Sequence, residues 1–242
     1  MTDCVNSDSP TAPSRDESWR MFDRIVQRYD FLNHVLSLRF DVRWRKQVAR
    51  MLPEGEELRV LDLATGTGDL LLAVLGEKPG AGRVVGLDMA AKMLERCKEK
   101  IGASGIAHKA ALVRGDAALV AARDSTFDAV TMAFGIRNMP DVPATLREAR
   151  RVLKPGGRLL VLEFSLPRQP WRTPYLFYLR HVLTRVGRLV SGDSEAYDYL
   201  NRTIETFPCG EAFCGLMRDA GFSNVRAMPR TLGIATIYEG ER

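Results

Sequence analysis

The sequence predicts an α/β fold built on a doubly wound, mostly parallel sheet, with an N-terminal helical cap and a helical insertion before the last strands. Three observations predict this fold. Short apolar runs alternate with helical periodicity from residue 58 onward, the first run ends in the glycine turn TGTGD, and the second ends at Asp88. Strands and helices that alternate in this way form βαβ units, whose strands lie parallel beneath helices on both faces. We therefore expect a single domain over residues 18–242.

Composition and charge set the broad class of the protein. With 242 residues, 45% hydrophobic and 27% charged, the chain is typical of soluble proteins, and its apolar runs are too short to cross a bilayer. Its net charge of +5 is too small to identify a partner. The four cysteines lack the spacing of a zinc site, so we expect free thiols and no metal. The N-terminus contains acids and no apolar core, which predicts a cytoplasmic protein.

Two segments precede the first predicted strand. Residues 1–17 are polar and rich in Ser, Pro, Thr and Asp, a composition that predicts a disordered tail. Residues 18–52 form the predicted helical cap, because their apolar positions recur at three and four residues. These positions include Phe22, Ile25, Val26, Tyr29, Leu32, Val35 and Leu36.

The elements of the sheet follow in order. The first strand, 58–64, leads through the glycine turn into a helix, and the second strand, 83–89, leads into a helix with Gly102 as its stop. Later predicted elements are strands at 110–116 and 127–134, a helix at 142–153, a strand at 157–165, the insertion at 166–205, a helix at 211–220 and strands at 224–230 and 231–240. The final two strands are predicted to form an antiparallel hairpin at the sheet edge.

The glycine turn has the features of a ligand-binding loop. Gly66 and Gly68 permit a tight turn and close approach of a ligand to the backbone, and the helix that follows offers unpaired N–H donors. Asp88, about twenty residues further on, can accept hydrogen bonds from the hydroxyls of a ribose. The third glycine of a dinucleotide site is missing, and the carboxylates of Asp62 and Asp69 favour a positively charged cofactor over a diphosphate. A glycine turn that binds nothing remains the alternative.

A third candidate contact follows the third strand. Asp116 can accept the exocyclic amine of an adenine, and Ala117 leaves room for the ring, although Asp116 by itself is equally typical of a turn or helix cap. Together, the segments LDLATGTGD, VVGLDMA and RGDA resemble the successive cofactor motifs of class I S-adenosylmethionine-dependent methyltransferases. The resemblance implies a Rossmann-like fold and S-adenosyl-L-methionine as cofactor. It implies as cofactor-binding residues Asp62, Gly66, Thr67, Gly68, Asp88, Met89, Asp116, Ala117 and Ala133.

Longer segments resemble one branch of that superfamily, the ubiquinone/menaquinone biosynthesis C-methyltransferases. Residues 29–45, YDFLNHVLSLRFDVRWR, resemble its N-terminal signature, and residues 151–165, RVLKPGGRLLVLEFS, match its second signature. The chain departs at Leu32, where the family often has Met, at Asp41, where many members have His, and at Ala133, where Ser is common. The resemblance implies C-methylation of a polyprenyl quinol, with demethylmenaquinol as the expected substrate. A ubiquinone precursor and another small lipid or phenolic acceptor remain alternatives.

Three residues are predicted to act on this substrate. Arg137 and Asn138 follow the fourth strand, at the edge where open parallel sheets bind ligands, and are expected to orient the hydroxyl and stabilise its anion. Tyr29, from the helical cap, is expected to close over the ring. The alternative for Arg137 is a structural salt bridge.

The insertion suggests a role at a surface. Residues 168–190 contain five arginines and no acid, with aromatic residues between them. Such a basic amphipathic helix either makes peripheral contact with the inner face of an anionic membrane or forms a lid over the substrate. A nucleic-acid substrate is not expected, because AFGIRN stands where base-amino methyltransferases have an NPPY-type tetrapeptide. A non-catalytic cofactor-binding module remains a further alternative, and the sequence leaves the oligomeric state open.

Overall fold

The computed structural model describes residues 19–24, 26, 33–34, 37, 39–78, 80–183 and 194–242. The whole predicted tail, 1–17, and a large part of the predicted cap, including Tyr29, lie outside these residues. The described parts of the cap are helical over 19–24 and over α1, Phe40–Arg50.

A seven-stranded sheet organises the fold, in the order β3-β2-β1-β4-β5-β7-β6. The strands are β1 Leu58–Leu63, β2 Ala81–Asp88, β3 Ala110–Arg114, β4 Phe127–Ala133, β5 Leu153–Phe164, β6 Ser223–Arg230 and β7 Ala235–Glu241. Strands β1 to β5 are parallel, and β7 runs antiparallel to both β5 and β6. The prediction of a doubly wound, mostly parallel sheet with an antiparallel edge hairpin is therefore confirmed.

Helices cover both faces of the sheet. They are α1, α2 Asp69–Glu77, α3 Ala91–Ala103, α4 Val142–Val152, α5 Arg172–Phe177, α6 Ser194–Thr206 and α7 Glu211–Asp219, with a π-helical segment, Tyr178–Leu183, directly after α5. The residues of β5 divide between two cores: Leu160 and Leu162 pack with α1 and α2, whereas Leu159 and Val161 pack with α4 and α7. Because successive side chains of a strand point to opposite faces, both faces of this strand are buried.

Two local predictions need correction. Helix α3 continues past Gly102 to Ala103, and it is Gly105 that takes the left-handed conformation, with φ 74°. The strand predicted at 157–165 begins earlier, at Leu153, and residues 154–157 form a bulge inside β5, because Leu153 and Arg158 on either side of them both pair with β4.

The described part of the chain contains three of the four cysteines. Cys97, Cys209 and Cys214 are free thiols, as predicted. The described residues contain no group of metal-ligating side chains and no helix long and apolar enough to cross a bilayer.

Candidate active site

The sheet order creates a crevice between β1 and β4. The chain passes from β1 outward to β2 and β3 and then returns to β4 on the other side of β1, so the helices that follow these strands diverge at this point. Open α/β sheets bind ligands at the carboxyl ends of their strands where the order reverses. A cavity of about 270 Å³ lies there, and we call it the switch-point cavity.

The lining of this cavity combines residues of the cap with residues at the carboxyl ends of β1, β2, β3 and β4. The lining residues are Trp19, Phe22, Ala64, Gly66, Leu87, Asp88, Met89, Met93, Gly115, Asp116, Ala117, Phe134, Gly135, Asn138, Met139 and Pro140. Of the predicted site residues, those in this lining are Gly66, Asp88, Met89, Asp116, Ala117 and Asn138.

The glycine turn shapes the floor of the cavity. Gly66 and Gly68 have φ values of 55° and 84°, which favour glycine, and a Cβ added to Gly68 would overlap the Sγ atom of Cys97 on α3. Thr67 is buried beneath the turn, where its Oγ1 accepts a hydrogen bond from Lys100 Nζ at 3.3 Å. Thr67 and Gly68 therefore support the cavity without lining it.

Asp88 is held in place by the backbone at the end of β2. Its Oδ2 accepts a hydrogen bond from the Gly66 N–H at 2.8 Å, and its Oδ1 accepts one from the Ala90 N–H at 2.8 Å. Burial raises the pKa of Asp88 above its ordinary value. A carboxylate has about four lone-pair sites, so two backbone bonds leave Asp88 able to accept hydrogen bonds from a ligand.

The cavity is acidic and otherwise largely apolar. Asp88 and Asp116 are the charged residues among its described lining, within a chain whose net charge is +5. Asp116 also accepts a hydrogen bond from the Ala118 N–H at 2.8 Å, so it serves the turn and lines the cavity. This lining fits a ligand that combines an aromatic base with positive charge, and it disfavours a diphosphate.

Asp62 lies beneath the cavity. Its carboxylate is buried and accepts hydrogen bonds from Thr65 Oγ1 at 2.6 Å and from Thr131 Oγ1 at 2.7 Å. These bonds tie β1 to the glycine turn and to β4. Asp69, whose charge was expected to favour a positively charged cofactor, forms an ion pair with Lys100 and is not among the residues that line the cavity.

The Asp62→Asn variant is expected to change how stability depends on pH. Burial raises the pKa of Asp62 to about 6 from an ordinary value of 3.8, so the folded protein binds this proton more tightly than the unfolded chain does. Stability from this group is therefore lost as pH rises from about 4 to about 6. Between pH 4.5 and pH 7 the free energy of unfolding of the variant should rise by about 2 kcal/mol relative to wild type. Urea denaturation at the two pH values measures this, and parallel behaviour of the two proteins would contradict it.

Arg137 forms a buried ion pair under the substrate side of the crevice. Its Nη1 donates to Glu163 Oε1 at 2.5 Å and to the Phe134 carbonyl at 2.8 Å. Burial raises the pKa of Glu163, an effect that the Arg137 charge opposes. This is the contact expected of a structural salt bridge, the alternative role of Arg137.

Phe134 connects Arg137 to the cavity. The Phe134 carbonyl also accepts a hydrogen bond from Asn138 Nδ2 at 3.2 Å, and the ring of Phe134 lines the cavity. Ala133, directly before it, ends β4 and pairs with Leu162 outside the cavity lining.

The N-terminal signature forms a buried polar network that supports Phe134. Asp41 accepts a hydrogen bond from Ser37 Oγ at 2.7 Å, contacts His34 Nδ1 at 3.0 Å and forms an ion pair with Arg45. Although burial acts to raise the pKa of Asp41, Arg45 and these hydrogen bonds hold it below its ordinary value. The guanidinium of Arg45 lies 5.2 Å from the centroid of the Phe134 ring, so the network places a cation against the wall of the cavity.

Several cavity residues were missed by the sequence analysis. Trp19 and Phe22 are the clearest examples, because a spacing of three residues predicts only one face of a helix. Asp23, next to them, accepts a hydrogen bond from the Lys92 N–H at 2.9 Å and so ties the cap to the start of α3. Their site role depends on this long-range contact, for which the sequence carries no local signal.

Comparison with solved structures identifies the class of fold. A SAM-dependent methyltransferase from Thermotoga maritima superimposes with a TM-score of 0.62 at 20% identity, covering 92% of this chain and 99% of that one. The [4+2]-cyclase SpnF superimposes with a TM-score of 0.64 at 18% identity, covering 96% and 97%. The fold is thus that of the class I S-adenosylmethionine-dependent methyltransferases. The cyclase shows that this fold does not by itself determine the reaction.

Sequence comparison identifies the family. The profile of the ubiE/COQ5 methyltransferase family matches residues 13–242, and the chain belongs to this family. A protein of Thermus thermophilus named demethylmenaquinone methyltransferase is 44% identical over 223 residues, covering 92% of this chain and all of that one. A protein of Geotalea uraniireducens named ubiquinone/menaquinone biosynthesis C-methyltransferase UbiE is 41% identical over 223 residues, covering 92% and 94%.

Proposed function

We propose that the protein transfers a methyl group from S-adenosyl-L-methionine to a ring carbon of a polyprenyl quinol, with demethylmenaquinol as the substrate. The observation that carries the proposal is the switch-point cavity, whose charged lining is acidic and whose walls are otherwise mostly apolar. Membership of the ubiE/COQ5 methyltransferase family supports the reaction. The name of the Thermus relative supports demethylmenaquinol over a ubiquinone precursor.

Different cavity residues are assigned to different parts of the cofactor. Asp88 would accept hydrogen bonds from the ribose hydroxyls, Asp116 would accept one from the adenine amine, and Met89 and Ala117 would contact the adenine ring. Gly66 allows the rest of the molecule to lie against the backbone, above the buried Asp62 and the supporting Thr67 and Gly68. When bound, S-adenosyl-L-methionine supplies an electrophilic methyl group on a positively charged sulfur.

The substrate side must make a ring carbon nucleophilic. A hydroquinone carbon is a weak nucleophile until a neighbouring hydroxyl passes its proton to a water, which delocalises negative charge onto the ring. The Arg137 guanidinium stabilises this anion by its charge, since arginine does not act as a free base. When the carbon takes the methyl group, the sulfur keeps the electron pair of the broken bond and leaves as a neutral thioether. The ring hydrogen that the methyl group replaces then leaves as a proton to water. Asn138, in the cavity lining, orients the hydroxyl. The predicted role of Tyr29 falls outside the described residues.

The reaction is tested with the purified protein, methyl-labelled S-adenosylmethionine and two reduced acceptors in parallel. One acceptor is a short-tailed demethylmenaquinol and the other is a short-tailed 2-methoxy-6-polyprenyl-1,4-benzoquinol. Mass spectrometry of the lipid extract should find the label on a ring carbon of the demethylmenaquinol. Label on the benzoquinol alone would show that the substrate is the ubiquinone precursor and not demethylmenaquinol. Binding of the cofactor without label on either acceptor would contradict the proposed activity.

The insertion has separate buried and exposed sides. Tyr175 and Leu179 pack into the core, which suits a lid, and Arg180 forms an ion pair with Glu205 at 2.5 Å. Trp171 and Phe177 are 53% and 62% exposed. Arg168 and Arg172 are exposed in the same segment. Exposed aromatic residues among basic ones favour peripheral contact between residues 168–183 and an anionic membrane. The rest of the predicted contact, 184–190, lies outside the described residues.

Peripheral membrane contact through Trp171 and Phe177 predicts a loss of vesicle binding when both are replaced. The Trp171→Ala/Phe177→Ala double variant should lose binding to vesicles of anionic phospholipid in a sedimentation assay, while Leu119→Ala, which removes another exposed apolar side chain, should not. Both proteins should keep the wild-type affinity for S-adenosylmethionine. Wild-type protein that stays in the supernatant would leave the lid as the role of the insertion.

A further inference from the structure

Two polar atoms at the substrate side of the site are buried without a partner. One is the Nε of Arg137 and the other is the hydroxyl of Tyr175, and neither has a hydrogen-bond partner among the described residues. Their residues are 2% and 7% exposed. A buried polar group that lacks a partner is costly, so its retention at a site points to a ligand that supplies the missing bond.

A satisfied tyrosine elsewhere in the core gives a comparison for this pair. The hydroxyl of Tyr238, a buried tyrosine in β7, accepts a hydrogen bond from the Gly210 N–H at 2.8 Å. The Nη1 atom of Arg137 is likewise bonded, to Glu163 and Phe134. Within the Arg137 guanidinium, the buried atom without a partner is therefore Nε. Among the described residues, the Nδ2 atom of Asn33 also lacks a partner.

The two groups lie in the same part of the core. The Arg137 guanidinium is 5.5 Å from the centroid of the Phe164 ring, and Tyr175 packs in the cluster that contains Phe164 and Phe134. Burial raises the pKa of Tyr175 above its ordinary value, and the charge of Arg137 only partly opposes this. The hydroxyl is thus protonated at neutral pH and can donate a hydrogen bond, as can the Arg137 Nε–H.

Tyr175 also lines a second cavity, which reaches the surface. This cavity has a volume of about 220 Å³, and its walls include Phe40, Pro167, Trp171, Pro174, Leu232 and Ile234. We call it the apolar groove. Trp171 and Leu232 are 53% and 61% exposed, so the groove joins a buried hydroxyl to an exposed apolar rim. A ligand with a polar aromatic head and a long hydrocarbon chain matches both ends.

We propose that Tyr175 is a substrate-contacting residue, which together with the Arg137 Nε–H donates hydrogen bonds to one oxygen of a hydroxyarene whose polyprenyl chain lies in the apolar groove. The inference rests on the proposed function and extends it by naming the residue that recognises the acceptor oxygen. Tyr175 keeps its proton throughout and stabilises the phenolate by hydrogen bonding. No bond to Tyr175 is made or broken.

The test compares Tyr175→Phe with Tyr238→Phe, which removes the same atom from a satisfied tyrosine. Tyr175→Phe should keep or raise the melting temperature, because it removes a hydroxyl without a partner, whereas Tyr238→Phe should lower it. The affinity of both variants for S-adenosylmethionine should match wild type. For the demethylmenaquinol, kcat/KM of Tyr175→Phe should fall by about tenfold to a hundredfold, as expected for loss of a hydrogen bond to a developing anion, and that of Tyr238→Phe should not change.

A binding measurement separates this inference from the proposed reaction. Isothermal titration calorimetry with a naphthol that carries a short prenyl chain, and with its methyl ether, should show that wild type prefers the naphthol and that Tyr175→Phe has lost most of this preference. That result with no methylation of any quinol would contradict the proposed function and retain the role of Tyr175. Equal preference in wild type and variant, or a melting temperature of Tyr175→Phe that falls as far as that of Tyr238→Phe, would overturn the inference.

Discussion

Replacing Asp88 by asparagine is expected to weaken the binding of S-adenosylmethionine by about a hundredfold or more, since hydrogen bonds to a charged acceptor contribute about 1.5–3 kcal/mol each. The carboxylate accepts hydrogen bonds from the N–H groups of Gly66 and Ala90 and retains acceptor capacity for a ribose. An asparagine would turn its NH₂ group towards one of these backbone donors. The variant therefore loses both the charged acceptor and the shape of the glycine turn. Isothermal titration calorimetry with the cofactor measures the effect.

Asp128→Asn is the matched control for this substitution. Asp128 also accepts a backbone hydrogen bond, from the Arg59 N–H at 2.9 Å, and forms an ion pair with Lys154 at 2.6 Å. It lies near the start of β4, at the amino ends of the parallel strands, whereas the switch-point cavity lies at their carboxyl ends. Cofactor affinity should be unchanged in Asp128→Asn. If Asp88→Asn bound the cofactor as tightly as this control, Asp88 would have no part in the cofactor site.

The Arg137→Ala variant is expected to lose both stability and turnover. Removing the guanidinium leaves the Glu163 carboxylate buried without its charged partner, and breaking a buried pair in this way costs about 3–5 kcal/mol. Urea denaturation should show this loss in the free energy of unfolding. The single variant cannot separate a structural from a catalytic role, because a destabilised site also loses activity.

A double variant separates the two roles. Arg137→Met/Glu163→Leu replaces the pair by apolar side chains of similar volume, and such replacements are often close to neutral for stability. We expect the double variant to recover most of the lost stability and the wild-type cofactor affinity, while its methylation of the quinol remains at the level of Arg137→Ala. Recovery of methylation together with stability would show that the Arg137–Glu163 pair is purely structural.

The predicted site residues that line the cavity were inferred from signals between neighbouring residues. Gly66 lies in a turn whose two glycines are two residues apart, and Asp88 ends a strand with a short apolar run. Both signals are local, because backbone conformation and strand periodicity are encoded over a few residues. Gly66, Asp88 and Asp116 are all among the lining residues of the cavity.

The sequence did not predict contacts between distant residues. Asp69 was predicted to favour a positively charged cofactor, and the fold pairs its charge with Lys100 of α3. Asp62 was predicted to bind the cofactor, and the pairing of β1 with β4 places Thr131 beside its buried carboxylate. Neither partner could be identified from spacing, since it depends on which strands and helices become neighbours.

The sequence by itself determined the alternation of strands and helices, the glycine turn and the acidic end of β2, because each results from local conformational preference and periodicity. Tertiary structure alone decided which charges are compensated and which polar groups remain unsatisfied. The Arg137–Glu163 pair joins residues after β4 and within β5, and the Tyr175 hydroxyl lies in the core beside them. Burial and pairing depend on the packing of the whole chain, and these two properties set the chemistry of a side chain.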